Sequence, residues 1–505
     1  MANAWKVAHV FLRVLKIIGI TILVLIGLML LPLLIGFIVD LAVTPQWSKT
    51  QKESVDYFAR LRAQRYSSIS LPFVTLDKNA WVYYDKAAKL INAPSLKGGF
   101  RHAADLWDIS LGKDSLEFSR AESLVRKYEQ VYALFDSGAC YRYYAIPEEY
   151  RKDPARPLVS DCILPLARLA VIKGRLEMAK GNPRTAAEIY AKVLKMGADV
   201  GSAGEAYSAP LFAADISSGG NVFVGRLVGI DIGAVAEYQA YSDLNKFDLE
   251  SIFYLRETIS QIEKNWPPLD SALEAKGRLL LLPSVTGWDG TQGDDIYFIS
   301  SEPHQPGSYV IGGWPSDIES DKLPSWARGI VYYSIQRVVF SSFVWRQYFS
   351  VRLSFLKGTK EIIVMADKCR SIQPQTWTNL APVEKAFRDN YEKDAWRLGM
   401  PAIYAHSSVD WICDYYYKYL FNMRILKSAL WLREYQLKHG IYPDNLNIFL
   451  SSDTAYYDLA NNQPLHVAWD STGQKIKLYS VGQNLKDDGG KFDWRDKDDI
   501  KIEFR

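Results

Sequence analysis

The hydrophobic pattern opens on an uninterrupted apolar run, Ile17 to Val39. Its length of about 23 residues spans a bilayer with some tilt. Gly19, Thr21, Gly27, Pro32 and Gly36 interrupt it only softly, which a spanning helix tolerates. Lys6, Arg13 and Lys16 precede the run and Asp40 follows it. The positive-inside rule then places residues 1–16 in the cytoplasm and everything after Asp40 outside. The run is too long for a usual signal-peptide core, so 17–39 is predicted to stay as a single transmembrane anchor. Beyond it the pattern turns helical and soluble. Trp47 to Arg65 is polar, with helical periodicity, and is predicted to be a juxtamembrane stalk. Residues 40–160 form a mixed juxtamembrane region. Pro72, Pro94 and Gly98-Gly99 break its first part, and Ser115 to Phe135 predicts an amphipathic helix. Pro147 to Pro157 reads as a charged connector.

Residues 161–405 predict a helical domain. Leu166–Lys180 carries Leu169, Ile172, Leu176 and Met178 near helical spacing, and Gly181-Asn182-Pro183 turns the chain. The next helix carries Ala186, Ala187, Tyr190, Val193 and Leu194. Gly174 and Ala187 are small where facing helices approach closely. Gly174, Gly181-Asn182 and Ala186-Ala187…Tyr190 resemble one tetratricopeptide-type hairpin, with no clear second copy about 34 residues on. The alternatives are ordinary helix packing and a peptide-binding groove. Asn221–Asn245 and Asp248–Leu282 predict further helices, the second broken at Trp266-Pro267-Pro268. A loop insertion follows at 284–325, least helical between Gly287 and Gly313. Trp326–Ser371, Thr376–Trp396 and Ser408–His439 predict the last helices. Within 406–505 a basic last turn followed by Gly440 ends the long helix. Ile476 to Val481 alternates as a short strand.

Composition narrows the function classes. The net charge is only +3, which argues against a nucleic-acid binder relying on bulk positive charge. The 15 Trp and 31 Tyr point to a core packed with large rings or to a carbohydrate-stacking cleft. The cysteines are Cys140, Cys162, Cys369 and Cys413, with no Cys-x-x-Cys. Outside the cytoplasm Cys140–Cys162 and Cys369–Cys413 are the local pairings; buried thiols are the alternative. Phosphate-loop, zinc-protease and nucleophile-elbow motifs are absent. His406, Ser407, Ser408 and Asp410 lie close in sequence, yet no oxyanion hole can be read beside them. Asp289, Asp294, Asp295, Glu302 and His304 share the loop insertion as a solvated acidic loop or as acid/base groups.

The tail concentrates the candidate chemistry. Asn484, Asp487, Asp488, Asp493, Asp496, Asp498 and Asp499 follow the predicted strand. So many carboxylates in one loop repel each other unless water or a cation offsets them. Calcium takes six to eight oxygens, and Asn484, Asp487, Asp488, Asp498 and Asp499 supply side-chain oxygens, with backbone carbonyls near Leu478 or Val481. Gly489-Gly490 lets the loop fold back.

The order Gly440, Tyr442-Pro443, Asp458, Pro464, Ser480, Gly482, Gly489-Gly490 and Asp499-Ile500 resembles the globular domain of type II secretion major pseudopilins. Similar tails end membrane-anchored bacterial proteins to which no activity is attached. The resemblance covers about the last eighth of the chain. It implies a small C-terminal α+β module, a calcium-binding loop centred on Asn484 and Asp499, and a periplasmic setting at the bacterial inner membrane. The chain departs from the family in three places. Asn484 stands where an Asp is usual, Leu485–Asp488 is one residue longer, and the transmembrane run does not lead into the module. With no Glu before Glu53, the chain is not a processed pilin subunit. The expectation is thus a mainly α, single-pass envelope protein without catalysis. It combines an extracytoplasmic helical domain with a structural calcium site, and its partners are the membrane and envelope or secretion-related proteins. The alternative is an extracytoplasmic hydrolase acting on polysaccharide near Asp289–Asp295.

Overall fold

The structure is a computed structural model describing residues 16–24, 27, 38–39, 41–57, 60, 76–91, 116–141, 144, 159–215, 222–266, 268–279, 353, 356–372, 375–398, 400–443, 457–469, 476–490 and 500–504. Among these the fold is mainly helical with one small antiparallel sheet. The helices are α1 (Ala80–Ile91), α2 (Leu116–Lys127), α3 (Glu129–Cys140), α4 (Val159–Ala179), α5 (Pro183–Asp215), α6 (Val222–Ser242), α7 (Leu249–Asn265), α8 (Leu269–Leu279), α9 (Trp377–Leu398) and α10 (Met400–His439). The strands are β1 (His466–Trp469), β2 (Ile476–Ser480) and β3 (Ile500–Phe504), in the order β1-β2-β3. Residues 41–57 and 356–371 are also helical.

The hairpin α4–α5 forms where the pattern predicts it. Gly181, at φ +85°, takes the left-handed conformation just past α4. Its N–H donates to Met178 O and that of Asn182 to Glu177 O, which satisfies the last carbonyls of the helix. Pro183 then opens α5, where a missing N–H costs nothing. Gly174 is small for a specific reason: a Cβ there would lie 3.0 Å from Cδ1 of Tyr190, whose ring fills the gap. Tyr190 in turn donates to Asp243 Oδ2 at 2.8 Å, which ties the hairpin to the turn after α6. Helices α5 and α6 make the most extensive contact. Gly197 and Gly201 on α5 face Gly229 and Gly233 on α6. A Cβ on Gly229 would fall 2.5 Å from both Gly197 O and Gly201 Cα, so the backbones meet with no side chain between them.

Helix α7 starts at Asp248, whose carboxylate accepts from Ser251 N at 2.8 Å as an N-cap. It ends before Trp266-Pro267-Pro268, and α8 follows as a separate helix. Helix α10 packs on α6, α7, α8 and α9 and also touches β2 and β3. It runs unbroken across the 405/406 boundary drawn from the sequence. One hydrophobic core joins Ala80 on α1 to Val481 beyond β2 and so takes residues from both sides of the 160/161 boundary as well.

Several expectations change in detail. The single helix predicted over Ser115–Phe135 divides into α2 and α3 at Tyr128, whose φ of −104° and ψ of 20° leave the helical range. Strands β1 and β3 join the predicted β2. Cys369 and Cys413, one of the two local pairings, are buried thiols, and Cys140 is an exposed thiol. Burial, with Asp270 nearby, pushes the Cys369 thiol up to about 12. Of the predicted span 17–39, residues 17–24, 27, 38 and 39 are described, all helical. Ile17, Ile20, Ile22 and Leu23 are exposed apolar side chains in it. Among the described residues no helix is long and apolar enough to cross a membrane. The connector Pro147–Pro157, the loop insertion at 284–325 and Trp326 to Ser350 lie outside the described residues.

Candidate functional site in the C-terminal module

The C-terminal module is organised around a buried carboxylate, Asp458, which ties its turn to its central strand. β2 pairs with β1 through Val467↔Leu478 and with β3 through Leu478↔Ile502, so β2 is the central strand. Ile476 and Leu478 sink into the shared core. A turn over 457–464, closed by the Tyr457↔Pro464 bridge, brings Asp458 under the end of β2. Asp458 is 1% exposed. Its Oδ1 accepts from Ala460 N at 2.8 Å and from the Ser480 hydroxyl at 2.7 Å, and its Oδ2 accepts from Val481 N at 2.9 Å. The N–H of Gly482 then donates to Ser480 Oγ at 3.1 Å. Burial raises the Asp458 carboxyl above its ordinary range, while these donors pull it back down. Asp458, Ser480 and Gly482, three of the positions that carry the resemblance, thus meet in one hydrogen-bond cluster.

The same turn caps a helix. The N–H groups of Trp377 and Thr378, at the start of α9, donate to Leu459 O and Ala460 O, both at 2.8 Å. Trp377 Nε1 donates to Gln483 O at 2.8 Å. Its ring meets Tyr417 of α10 edge-on, 4.9 Å between centroids. The unpaired donors of a helix N-terminus therefore find partners in the module. Sequence reasoning missed Trp377, because only the helix start was visible there and not the carbonyls that face it.

The acidic loop leaves this cluster at Gly482. Asn484 Nδ2 donates to Asp488 Oδ2 at 2.9 Å, and Asn484 Oδ1 accepts from Lys486 N at 2.9 Å. Asp487 turns the other way. Its Oδ1 accepts from the Tyr479 hydroxyl at 3.1 Å and from Gly489 N at 3.0 Å. Its Oδ2 lies 3.4 Å from Nδ1 of His466, whose ring stacks on Tyr479. Gly489 and Gly490 are left-handed, at φ +69° and +68°. The Lys477 ammonium donates to Gly489 O at 3.2 Å, and its stem passes under Gly490, where a Cβ would clash. Lys477 also sets one positive charge beside the acidic loop.

For a calcium ion the described donors supply one arm. Asn484 and Asp488 are adjacent, and turning the Asn484 amide over would set its oxygen beside the Asp488 carboxylate. Asp487 is engaged with the sheet. Asp498 and Asp499 lie outside the described residues. Among the described residues no group of three or more His, Cys, Asp or Glu side chains is placed to hold a metal ion.

The acidic residues Asp289, Asp294, Asp295, Glu302 and His304 also lie outside the described residues. His406, Ser407, Ser408 and Asp410 all belong to α10, and their side chains are outside the described set. Beside the helical hairpin, an open groove of about 620 Å³ runs between α2, α3 and α4. Tyr132 and Leu176 line it, and within the lining Lys180 pairs with Glu122 at 3.5 Å and Lys173 with Asp136 at 3.4 Å. Its lining of mixed charge gives it no electrostatic preference for one sign of ligand. No protein-family model, no curated protein and no solved structure matches the chain.

Proposed function

We propose that the chain is a non-enzymatic, single-pass protein of the bacterial inner membrane. Residues 17–39 anchor it, the helical body lies outside the cytoplasm, and the pseudopilin-like C-terminal module makes contacts with envelope or secretion-related proteins. The observation that carries this reading is the convergence of Asp458, Ser480 and Gly482. Asp458, from one stretch that carries the resemblance, and Ser480 and Gly482, from another, form one buried cluster at the base of a small sheet. Gly440 and the left-handed pair Gly489-Gly490 stand where the same resemblance needs turns. The module is built into the body through α9 and α10, which suits a rigid contact surface.

In this reading a calcium ion closes the tail, bound by Asn484 and Asp488 together with Asp498 and Asp499, the further ligands expected from the sequence. It offsets the repulsion among the carboxylates and adds binding free energy to the folded state. Calorimetric melting in millimolar calcium and in excess chelator tests this. The expected result is a melting temperature a few degrees higher with calcium, and loss of that difference in Asp499→Ala. Identical melting in both buffers removes the ion. Affinity capture of the region after Asp40 from native membranes tests the contact role. Recovery of specific envelope proteins, lost when the module is deleted from Ile441 onward, is the expected outcome.

A further inference from the structure

We propose that segment 41–57 is a docked coupling helix, which holds the face formed by α8 and residues 356–371 against the anionic headgroup surface of the bilayer. The membrane part of this inference rests on the anchor reading of 17–39; the docking part stands on contacts alone. Trp47, Thr50, Ser54 and Tyr57 recur at helical spacing and form one stripe. Trp47 is buried against Leu356, in a small apolar cluster of their own. Thr50 and Ser54 are buried on the same side. Their hydroxyls donate back to Gln46 O at 2.9 Å and Thr50 O at 2.8 Å, so a polar stripe is buried without loss of hydrogen bonds. Tyr57 packs against the main core, and the Arg278 guanidinium lies over its ring, 4.7 Å from the centroid.

The contact continues inward. Arg278 pairs with Glu274 at 2.9 Å, and Glu274 accepts from Arg370 at 2.6 Å. Arg370 also bonds Asp270 at 2.8 Å, and Thr359 donates to Gly277 O at 2.7 Å. Segment 41–57, α8 and residues 356–371 are thereby one packed unit. Trp47 lies eight residues past Val39, and eight helical residues at 1.5 Å each cover about 12 Å, so the docking contact with Leu356 comes early after the apolar run. That distance leaves no room for a free stalk. Lys49, Lys52 and Lys360 are exposed near this junction, suited to lipid phosphates. Glu53, Asp56 and Glu361 share the region and temper that attraction.

Two labelling experiments test the proposal on the full-length chain, with Cys140 and Cys162 replaced by Ser. The first places spin labels at Lys52→Cys and Lys360→Cys and reads their distance distribution in detergent. Docking predicts a narrow distribution that broadens severalfold on Trp47→Ala; a broad distribution before that substitution overturns the docking. The second places a fluorophore at Lys360→Cys or Lys438→Cys in nanodiscs of phosphatidylglycerol and a nickel-chelating lipid. Lys438, exposed in the last turn of α10 and outside the packed unit of segment 41–57, α8 and residues 356–371, serves as the comparison site. The expected result is severalfold stronger quenching at position 360; equal quenching overturns the membrane-facing assignment. Extraction of the unlabelled protein from membranes by carbonate would refute the anchor itself, while the spin-label result still decides the docking.

Discussion

At the scale of single residues, two buried carboxyl groups behave differently because their surroundings differ. Asp458 is met by three donors, and replacing it by Asn offers an NH2 group to a site built for acceptance. Hydrogen bonds to a charged group contribute about 1.5–3 kcal/mol each, and an unmatched buried donor costs more. Asp458→Asn is expected to lower stability by about 3 kcal/mol, and Ser480→Ala by about 1 kcal/mol, read by urea denaturation. Glu237, on α6, is 2% exposed, and one of its oxygens has no hydrogen-bond partner. Burial pushes its carboxyl up to about 8, against a hydrogen bond from Asn422. The folded protein then keeps a proton that the unfolded chain releases above its ordinary carboxyl range, so stability falls as pH rises toward 8. Lys276, held down to about 7 by burial, acts in the opposite sense at higher pH, as the folded state sheds its proton first. Between pH 5 and 7 Glu237 acts alone of the two. Its contribution there falls by about 3 kcal/mol, and Glu237→Gln should flatten that decline in a pH series of melting curves.

At the scale of elements, the tightest joint is the crossing of α5 and α6. Gly229→Ala is expected to cost about 2–3 kcal/mol through backbone clash with Gly197 and Gly201. Gly181→Ala meets open space and costs about 1 kcal/mol, from its left-handed backbone alone. Comparative thermal melting should rank them in that order. These elements also show what the sequence makes legible. Helices α4, α5, α7 and α8 announce themselves by apolar spacing and by Gly181, Pro183, Asp248 and Pro267-Pro268 at their ends. The end of α10 at Gly440 and strand β2 are legible for the same kind of local reason. Strand β1 is not, because four residues, His466–Trp469, show no clear alternation, and the alternation of β3 at Ile500, Ile502 and Phe504 is hidden behind the acidic run before it. Segment 41–57 reads as a polar stalk since its buried stripe is Trp-Thr-Ser-Tyr, and back-bonded hydroxyls carry no apolar signal. Within the candidate site, Asp458 and Ser480 are visible only by resemblance. The two residues are 22 positions apart and meet only through a turn folded back onto a strand, which periodicity cannot see.

At the scale of the whole molecule, two contacts tie the proposed anchor side and the tail module to the helical body. Trp47 against Leu356 links the anchor side to the body. Trp377 and Thr378, donating to Leu459 O, Ala460 O and Gln483 O, link the module to it. Both links leave the body little freedom relative to either end, which suits the proposed role in presenting a contact surface. All four cysteines follow Asp40, and Cys140 is an exposed thiol, so the side of the membrane on which the body lies can be read directly. The decisive measurement is thiol labelling with a membrane-impermeant maleimide in intact cells whose outer envelope admits the reagent. The account predicts labelling before lysis, on a protein that stays with the membrane fraction. Labelling that appears only after the inner membrane is broken would place the body and its acidic tail in the cytoplasm and contradict it.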